Sequence, residues 1–222
     1  MSETAKAFPF DAVIFDMDGV IVDSEYFYMG ELEAYAADMG FDVPRSEFSA
    51  QVGKSHQAFQ RLLRDWWRAA GRELTLDAAE QTYIDWAEGR SCDYRSMLFE
   101  GAVETIRELP RRGARVALAS SSPMVNIERV LDECGLADAF EVKVSGEQFR
   151  ESKPEPDIYL HAVGLLGLPA ERCCCVEDSV PGITAGKRAG LHVIARREER
   201  FGFSQDAADA IIDALPQLLE LA

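Results

Sequence analysis

Long apolar runs are missing from this chain of 222 residues, and so is an excess of positive charge. No stretch is long and apolar enough to cross a bilayer, so we expect no membrane-inserted segment. Residues 1–10 have no apolar segment between a basic head and a small-residue cleavage site, so we expect no signal peptide and a cytoplasmic location. The formal net charge of -16 disfavours nucleic acids and anionic membranes as partners, because most of the surface would repel polyanions. An anionic small substrate would therefore need a local positive charge.

Cysteine patterns typical of metal sites or disulfides are also missing. No CxxC pair occurs, and the five cysteines are Cys92, Cys134 and the consecutive Cys173, Cys174 and Cys175. Adjacent cysteines do not readily bond to one another and the total is odd, so we expect reduced thiols. The triplet is typical of a buried strand, and a thiolate metal site is the alternative interpretation.

The stretch from residue 11 to residue 20 contains the first candidate site. Residues 13–15 form a short β-branched and aromatic run, which predicts a strand buried on both faces. Asp16 and Asp18 follow on one side of an extended chain, and Gly19 lets the chain turn away. Two such carboxylates repel each other unless a cation lies between them or one is protonated. Both arrangements suit catalysis, since Mg²⁺ takes oxygen ligands and a carboxylate can act as a nucleophile. The alternative is a loop with two solvated acids.

Residues 23–96 have a helical pattern instead. Apolar residues at helical spacing predict three helices, near residues 28–39, 59–66 and 79–87. We interpret this segment as an inserted α-helical cap domain, with residues 1–22 and 97–222 forming the core domain, and such an insertion can act as a lid. Gly53, Lys54 and Ser55 resemble part of a P-loop, but the earlier glycine and the leading strand of that motif are missing. This loop is either ordinary surface or a lid tip that reaches toward a bound anion.

From residue 101 onward, strand and helix patterns alternate, which predicts a doubly wound parallel α/β sheet. Ligands of such sheets bind beyond the carboxyl ends of the strands. One predicted strand ends at Ser120 and the cysteine-rich strand ends at Glu177 and Asp178, so these residues would share an edge with Asp16. Ser120 could be an ordinary turn residue, whereas an acidic pair beside other acids favours a bound cation.

Lys153 is the candidate cation for this acidic edge. Prolines at positions 154 and 156 stiffen its loop, which precedes a predicted helix over residues 158–166. The side chain is either an ordinary solvated charge or the positive group that an acidic site needs to hold phosphate.

Four short motifs, taken together, resemble those of the haloacid dehalogenase-like hydrolase superfamily in order and spacing. They are Asp16-Met17-Asp18-Gly19-Val20, the strand that ends at Ser120, Lys153-Pro154, and Glu177-Asp178 with Gly182. The similarity extends from residue 10 to residue 195. The chain is most similar to the β-phosphoglucomutase-like phosphatases, which carry a helical cap after the first motif.

The resemblance implies a role for each matched residue. Asp16 would be the nucleophile that forms an aspartyl-phosphate, and Asp18 would be the general acid and then the general base. Ser120 and Lys153 would hold the phosphoryl oxygens, with Ser121 beside them. Mg²⁺ would be bound by Asp16, the main-chain carbonyl of Asp18, and Asp178, with Glu177 in support. Gly53, Lys54 and Ser55 would form the cap loop that closes over the substrate.

Two departures from the family pattern separate its branches. True dehalogenases lack the second acid of the first motif, so Asp18 argues against halide chemistry. β-Phosphoglucomutases have a histidine ten residues after that acid, where this chain has Tyr28. The sequence therefore predicts a monomeric, Mg²⁺-dependent phosphatase for a small phosphorylated metabolite, with a sugar phosphate as the leading interpretation. Phosphoryl transfer between sugar phosphates is the alternative.

Two alternatives come from other functional classes. A phospho-accepting receiver domain also places acids and a lysine at strand ends, but it has no large helical insertion and no acid two residues after the acceptor. An inactive binding protein is the other alternative, and an intact set of acids and lysine argues against it.

Overall fold

The computed structural model describes residues 8–51, 54, 56–90 and 92–221. Its six strands are β1 Ala12–Phe15, β2 Arg115–Ser120, β3 Val142–Ser145, β4 Cys173–Glu177, β5 His192–Arg196 and β6 Ala210–Ile212. They form one parallel sheet in the order β3-β2-β1-β4-β5-β6. The predicted doubly wound α/β fold is confirmed.

Helices cover both faces of the sheet. They are α5 Ala102–Glu108, α6 Met124–Glu133, α7 Asp157–Leu166 and α8 Val180–Arg188, which follow four helices of the insertion. Val13 and Phe15 belong to one buried apolar cluster, and Ala12 and Ile14 belong to another. Side chains of a strand point alternately to opposite faces, so β1 is buried on both sides, as its uninterrupted apolar sequence predicts.

Strand β1 lies at the point where the strand order reverses. It pairs with β2 on one side and β4 on the other, with Phe15 opposite both Leu118 and Val176. A crevice opens beyond the carboxyl ends of the strands at such a point. The three strands whose ends carry candidate residues are therefore neighbours.

The insertion contains α1 Ser24–Met39, α2 Arg45–Ser49, α3 His56–Ala69 and α4 Leu76–Ala87. Its helices enclose a third buried cluster, which includes Tyr35, Leu63 and Trp66. The three predicted helices are present, while α2 has only five residues and is too short to show a helical period. Tyr28 of α1 packs against the β1 cluster rather than the cluster of the insertion.

The two connections of the insertion to the sheet lie side by side. Asp23 N–H donates to the Met97 carbonyl at 2.8 Å, and Phe99 N–H donates to the Ile21 carbonyl at 3.0 Å. Val22 and Leu98 form an antiparallel bridge between these bonds. The chain therefore enters the insertion and returns to the sheet through two short backbone segments that lie side by side.

Three other sequence features have a simple structural outcome. The cysteine triplet lies buried in β4, and the five cysteines form no disulfide. A 3₁₀ helix, Leu215–Glu220, follows β6, and its second residue is a proline. Among the described residues, every helix is too short or too polar to span a bilayer.

Candidate active site

The carboxyl ends of β1, β2 and β4 bring the candidate acids together. Asp16 directly follows β1, and its N–H donates to the Val176 carbonyl of β4 at 3.0 Å. Glu177 is the last residue of β4, and Asp178 follows it. Carboxylate oxygens of Asp16, Glu177 and Asp178 lie within 4.8 Å of one another, and all three residues are buried.

Lys153 lies within this acidic cluster. Its ammonium donates to Asp16 Oδ1 and to Glu177 Oε1 at 2.7 Å each, and to the Ala119 carbonyl at 3.1 Å. The lysine side chain is 3% exposed. Lys153 thus contacts two of the three buried carboxylates, and Asp178 has no such contact with it.

The pKa values of these groups reflect their burial and their neighbouring charges. Burial raises the pKa of Asp16 to about 7, although Lys153 opposes the shift. Burial, and then the neighbouring Glu177, raise the pKa of Asp178 well above its usual range. Burial disfavours the charged form of Lys153, but the carboxylates of Asp16 and Glu177 outweigh it and raise the lysine pKa. The positive charge around the carboxyl groups of Asp16 and Asp178 is therefore too small to keep their pKa values low, while Lys153 stays protonated.

A divalent cation fits this donor set. Asp178 Oδ2 is buried and has no hydrogen-bond partner among the described residues. Buried carboxylate oxygens are costly without a partner, and hard cations such as Mg²⁺ bind oxygen ligands of this kind. The acidic cluster agrees with the sequence-based expectation of a metal site that includes Asp16, Glu177 and Asp178.

Two glycines make room for the acids. Gly19 has a φ of +77°, and a Cβ there would lie 2.1 Å from Asp178 Oδ2. A Cβ on Gly182 would lie 2.0 Å from the Glu177 carboxylate. Any larger residue at these two positions would collide with the acids, so both glycines are needed for close backbone approach.

Asp18 lies apart from the three-carboxylate cluster. Its Oδ1 accepts a hydrogen bond from Ser24 Oγ, and its Oδ2 accepts one from Ser122 Oγ at 2.9 Å. Ser24 is the first residue of α1, whereas Ser122 follows β2. The side chain is thus held between the insertion and the sheet and borders the cavity beside Asp16. Its predicted metal contact involves only its main-chain carbonyl.

The serines after β2 divide between the interior and the cavity. Ser120 is fully buried, and its Oγ accepts a hydrogen bond from Ser122 N–H at 3.1 Å. Ser121 and Ser122 line the cavity. Ser120 therefore shapes the turn. Of the two predicted phosphate-binding serines, Ser121 is the one that borders the cavity.

A cavity of about 260 Å³ separates these acids from the insertion. Its lining on the insertion side is largely apolar and includes Met29, Leu32, Phe48, Phe59 and Tyr83. Lys54 and His56 supply polar groups there, and His56 Nε2 lies 3.1 Å from Glu80. Lys54 thus lies where the sequence predicts a substrate contact, whereas Gly53 and Ser55 lie outside the described residues.

Some polar residues of the site were missed from the sequence. Tyr159 of α7 donates to Glu177 Oε1 at 2.5 Å, and Gln205 donates to the Asp178 carbonyl at 2.6 Å. Tyr159 occupies an apolar face of its helix, and Gln205 lies in a polar loop, so neither had a local signal. Ser122 was detectable only as part of a serine run.

Comparisons with known proteins agree with this geometry. A family model described as haloacid dehalogenase-like hydrolase matches residues 10–190. Hexitol phosphatase B of Escherichia coli (strain K12) is 31% identical over 217 residues, which cover 93% of this chain and 93% of that protein. Protein SUPPRESSOR OF QUENCHING 1 of Arabidopsis thaliana is 31% identical over 186 residues, which cover 83% of this chain but 17% of that longer protein.

Solved structures share the whole fold. CbbY from Rhodobacter sphaeroides in complex with phosphate has a TM-score of 0.73 and 26% identity, covering 94% of this chain and 96% of that chain. A mutant CbbY from Rhodobacter sphaeroides in complex with xylulose-(1,5)bisphosphate has a TM-score of 0.67 and 25% identity, covering 93% of this chain and 95% of that chain. A β-phosphoglucomutase from Clostridium difficile has a TM-score of 0.74 at 20% identity, covering 94% and 93%, and so shares the fold.

The matched region includes all three strand ends and the helical insertion. The resemblance inferred from the four motifs is therefore confirmed: this chain belongs to the haloacid dehalogenase-like hydrolase family.

Proposed function

We propose that this protein is a Mg²⁺-dependent phosphatase that hydrolyses a small sugar phosphate through an aspartyl-phosphate on Asp16. The observation that carries the proposal is the convergence of Asp16, Lys153 and an Asp178 oxygen that has no hydrogen-bond partner among the described residues. A phosphatase must neutralise phosphoryl oxygens beside a nucleophile, and this cluster supplies both groups. The hexitol phosphatase and the CbbY complexes support a sugar phosphate as the substrate class.

In the first step, a carboxylate oxygen of Asp16 attacks phosphorus, and the bond from phosphorus to the substrate oxygen breaks. Asp18 in its acid form gives its proton to that leaving oxygen. The hydroxyls of Ser24 and Ser122 hold the Asp18 carboxyl group between the insertion and the sheet. They orient it toward the cavity, where the leaving oxygen would lie.

In the second step, Asp18 as a carboxylate takes a proton from water, which attacks the phosphorus of the aspartyl-phosphate. The bond from phosphorus to Asp16 breaks, which restores the Asp16 carboxylate and releases inorganic phosphate. Lys153 stays protonated and faces the phosphoryl oxygens together with Ser121, and the buried Ser120 supports the turn that presents Ser121. No histidine is needed for either proton transfer.

The acidic cluster supports a role for Mg²⁺ as well. The ion would be held by Asp16, Asp178 and the main-chain carbonyl of Asp18, with Glu177 nearby, and would neutralise phosphoryl oxygens. Glu177 is hydrogen-bonded to both Lys153 and Tyr159, which fixes its side chain. Its role is therefore to orient Lys153 beside the nucleophile.

Residues 23–96 form the cap in this proposal, with residues 1–22 and 97–222 as the core. The adjacent connections at residues 21–23 and 97–99 would permit motion of the helices over the cavity. Lys54, with Gly53 and Ser55, would be carried toward the substrate. Closure of this kind excludes water from the aspartyl-phosphate until the leaving group has departed.

The proposal is tested by turnover of p-nitrophenyl phosphate with and without Mg²⁺. We expect Mg²⁺-dependent phosphate release by the wild type and a loss of at least about 10³-fold in Asp16→Asn, because the amide is not a nucleophile. Asp11→Asn is the matched control, since Asp11 precedes β1 at its opposite end and pairs with Arg172. Turnover that persists in Asp16→Asn would exclude this nucleophile, and a wild type without Mg²⁺-dependent turnover would exclude the phosphatase.

A further inference from the structure

Three side chains beside the cavity are connected by hydrogen bonds. The hydroxyl groups of Tyr28 and Tyr94 are in hydrogen-bond contact, and Tyr94 donates to Asn126 Oδ1 at 3.0 Å. Tyr28 and Asn126 line the cavity, whereas Tyr94 is buried behind them. The three residues come from α1, a 3₁₀ turn at Tyr94–Met97 and α6, so only the tertiary structure brings them together.

The direction of these hydrogen bonds follows from the available protons. Each neutral phenol has one proton, and Tyr94 gives its proton to Asn126 Oδ1. Tyr94 must therefore accept the proton of Tyr28 in the contact between the two hydroxyls. Burial raises the pKa of both phenols, so both keep their protons at neutral pH. The pair thus fixes the Asn126 oxygen toward Tyr94.

This arrangement leaves the Asn126 amide nitrogen as a donor. Nδ2 carries two N–H groups and makes no hydrogen bond within the described part of the chain. Because the amide oxygen is held by Tyr94, the nitrogen is on the other side of the planar group, and the side chain borders the cavity. The phosphate-binding groups already described do not include it, so its partner would belong to another part of the substrate.

The insertion provides a complementary group. Gln51 lines the cavity, and its buried Oε1 has no hydrogen-bond partner among the residues that the structure describes. The insertion also presents the apolar side chains of Leu32, Phe48 and Phe59 to the cavity. A hydroxyl group can accept from one amide and donate to another, whereas the carbon skeleton that bears it can pack on the apolar wall.

We propose that Asn126 is a substrate-binding residue that donates to a hydroxyl oxygen of the alcohol portion of the substrate, and that Tyr94 positions its amide. Gln51, in the insertion, accepts a hydrogen bond from a further hydroxyl. The site thereby selects monophosphates of hydroxylated alcohols over esters that lack hydroxyl groups. This inference rests on the proposed phosphatase function.

The test compares a panel of sugar and polyol monophosphates with phenyl phosphate, whose ring has no hydrogen-bonding group. We expect the wild type to have a higher kcat/KM for the best hydroxylated ester than for phenyl phosphate. In Asn126→Leu, we expect kcat/KM for that ester to fall about tenfold, and kcat/KM for phenyl phosphate to change less than about twofold. Val125→Ala is the matched control, since Val125 precedes Asn126 on α6 and is 76% exposed.

Two further variants separate a binding role from a structural one. Asn126→Asp keeps the size of the side chain and an acceptor for Tyr94, but it removes both N–H donors. Tyr94→Phe should raise KM for the hydroxylated ester about threefold with kcat nearly unchanged, because it releases the amide without touching the substrate. Melting temperatures of the variants show whether each one is folded.

The outcomes distinguish the inference from the proposed function. Equal losses on both esters in the Asn126 variants, no loss on either, or a wild type that does not prefer the hydroxylated ester would each overturn the inference while the phosphatase stands. A wild type that hydrolyses neither p-nitrophenyl phosphate nor phenyl phosphate would overturn the phosphatase itself.

Discussion

Asp178 carries a buried charge that the protein does not fully compensate. Its Oδ2 has no hydrogen-bond partner within residues 8–51, 54, 56–90 and 92–221, and Glu177 lies beside it. Arg196 offsets part of the charge, and its guanidinium donates to the Gly19 carbonyl next to the carboxylate. A charged group in such a place destabilises the folded state unless a cation binds there.

Asp178→Asn should therefore stabilise the protein in the absence of metal. We expect the free energy of unfolding in EDTA to rise by about 1–3 kcal/mol, because an unpaired buried carboxylate is replaced by a neutral amide. Mg²⁺ should raise the melting temperature of the wild type and leave that of the variant unchanged. Differential scanning calorimetry with and without Mg²⁺ measures both effects.

Asp206→Asn is the control for this measurement, since Asp206 is exposed in a loop outside the site. It should keep the Mg²⁺ response of the wild type. A full Mg²⁺ response in Asp178→Asn would contradict the assignment of this carboxylate to the metal site.

At the level of elements, the segment after β5 connects the acidic cluster to the start of the insertion. Arg200 binds both carboxylate oxygens of Asp23, at 2.7 and 2.8 Å, and it also donates to the buried Glu198. Gln205 in the same segment donates to the Asp178 carbonyl. Asp23 immediately precedes α1, so this segment holds the beginning of the insertion near the acids.

The Glu198 carboxylate makes this connection sensitive to acid. Burial alone would raise the pKa of Glu198, but hydrogen bonds from Arg200 outweigh burial and lower the pKa below its usual value of 4.5. The unfolded chain therefore binds a proton at a higher pH than the folded protein does. The stability that Glu198 contributes is present above pH 4.5 and is lost as the pH falls through the lowered pKa of the folded state.

Glu198→Gln should lose this contribution. We expect the variant to be about 1 kcal/mol less stable than the wild type at pH ~7, a value kept small because Arg200 is partly exposed, and the difference to shrink at pH ~3.5. Urea unfolding at both pH values gives the two differences. Glu199→Gln is the neighbouring control, with a side chain that is 81% exposed. A difference between wild type and Glu198→Gln that stays constant with pH would contradict the argument.

In the whole molecule, the insertion has a core of its own. Leu63 is fully buried in the cluster of the insertion helices, whereas Ile106 is fully buried in the cluster beneath the sheet. The insertion is joined to the rest of the chain by the adjacent segments at residues 21–23 and 97–99. Such a division allows one part to open while the other stays folded.

Matched cavity-forming substitutions test this division. Leu63→Ala and Ile106→Ala should each cost about 2–5 kcal/mol in the cluster that they touch. We expect Leu63→Ala to speed amide hydrogen exchange in α1, α3 and α4 and to leave β1, β2 and β4 protected. Ile106→Ala should speed amide hydrogen exchange in the strands in addition to those three helices. Equal exchange throughout the chain in both variants would show that the insertion and the sheet unfold as one unit.

The sequence predicted the elements of the site better than their contacts. Asp16, Glu177 and Asp178 could be brought together because each lies at the carboxyl end of a strand, and parallel strands end at a common edge. The cluster that Tyr28 joins could not be predicted, since a helical period indicates which residues share a face but not which neighbour that face meets. Tyr94 and Asn126 had no sequence signal, because they lie 32 positions apart and each has an ordinary local pattern.

The amino-acid sequence by itself determined the alternation of strands and helices, the place of the insertion and the strand ends that carry acids. These follow from local periodicity and from residue types at turns, which act over a few positions. Only the tertiary structure decided which oxygens remain without a partner, how Asp18 is held between two parts of the chain, and which way the Asn126 amide faces. Those properties depend on distances between atoms far apart in sequence, and packing sets these distances only when the whole chain has folded.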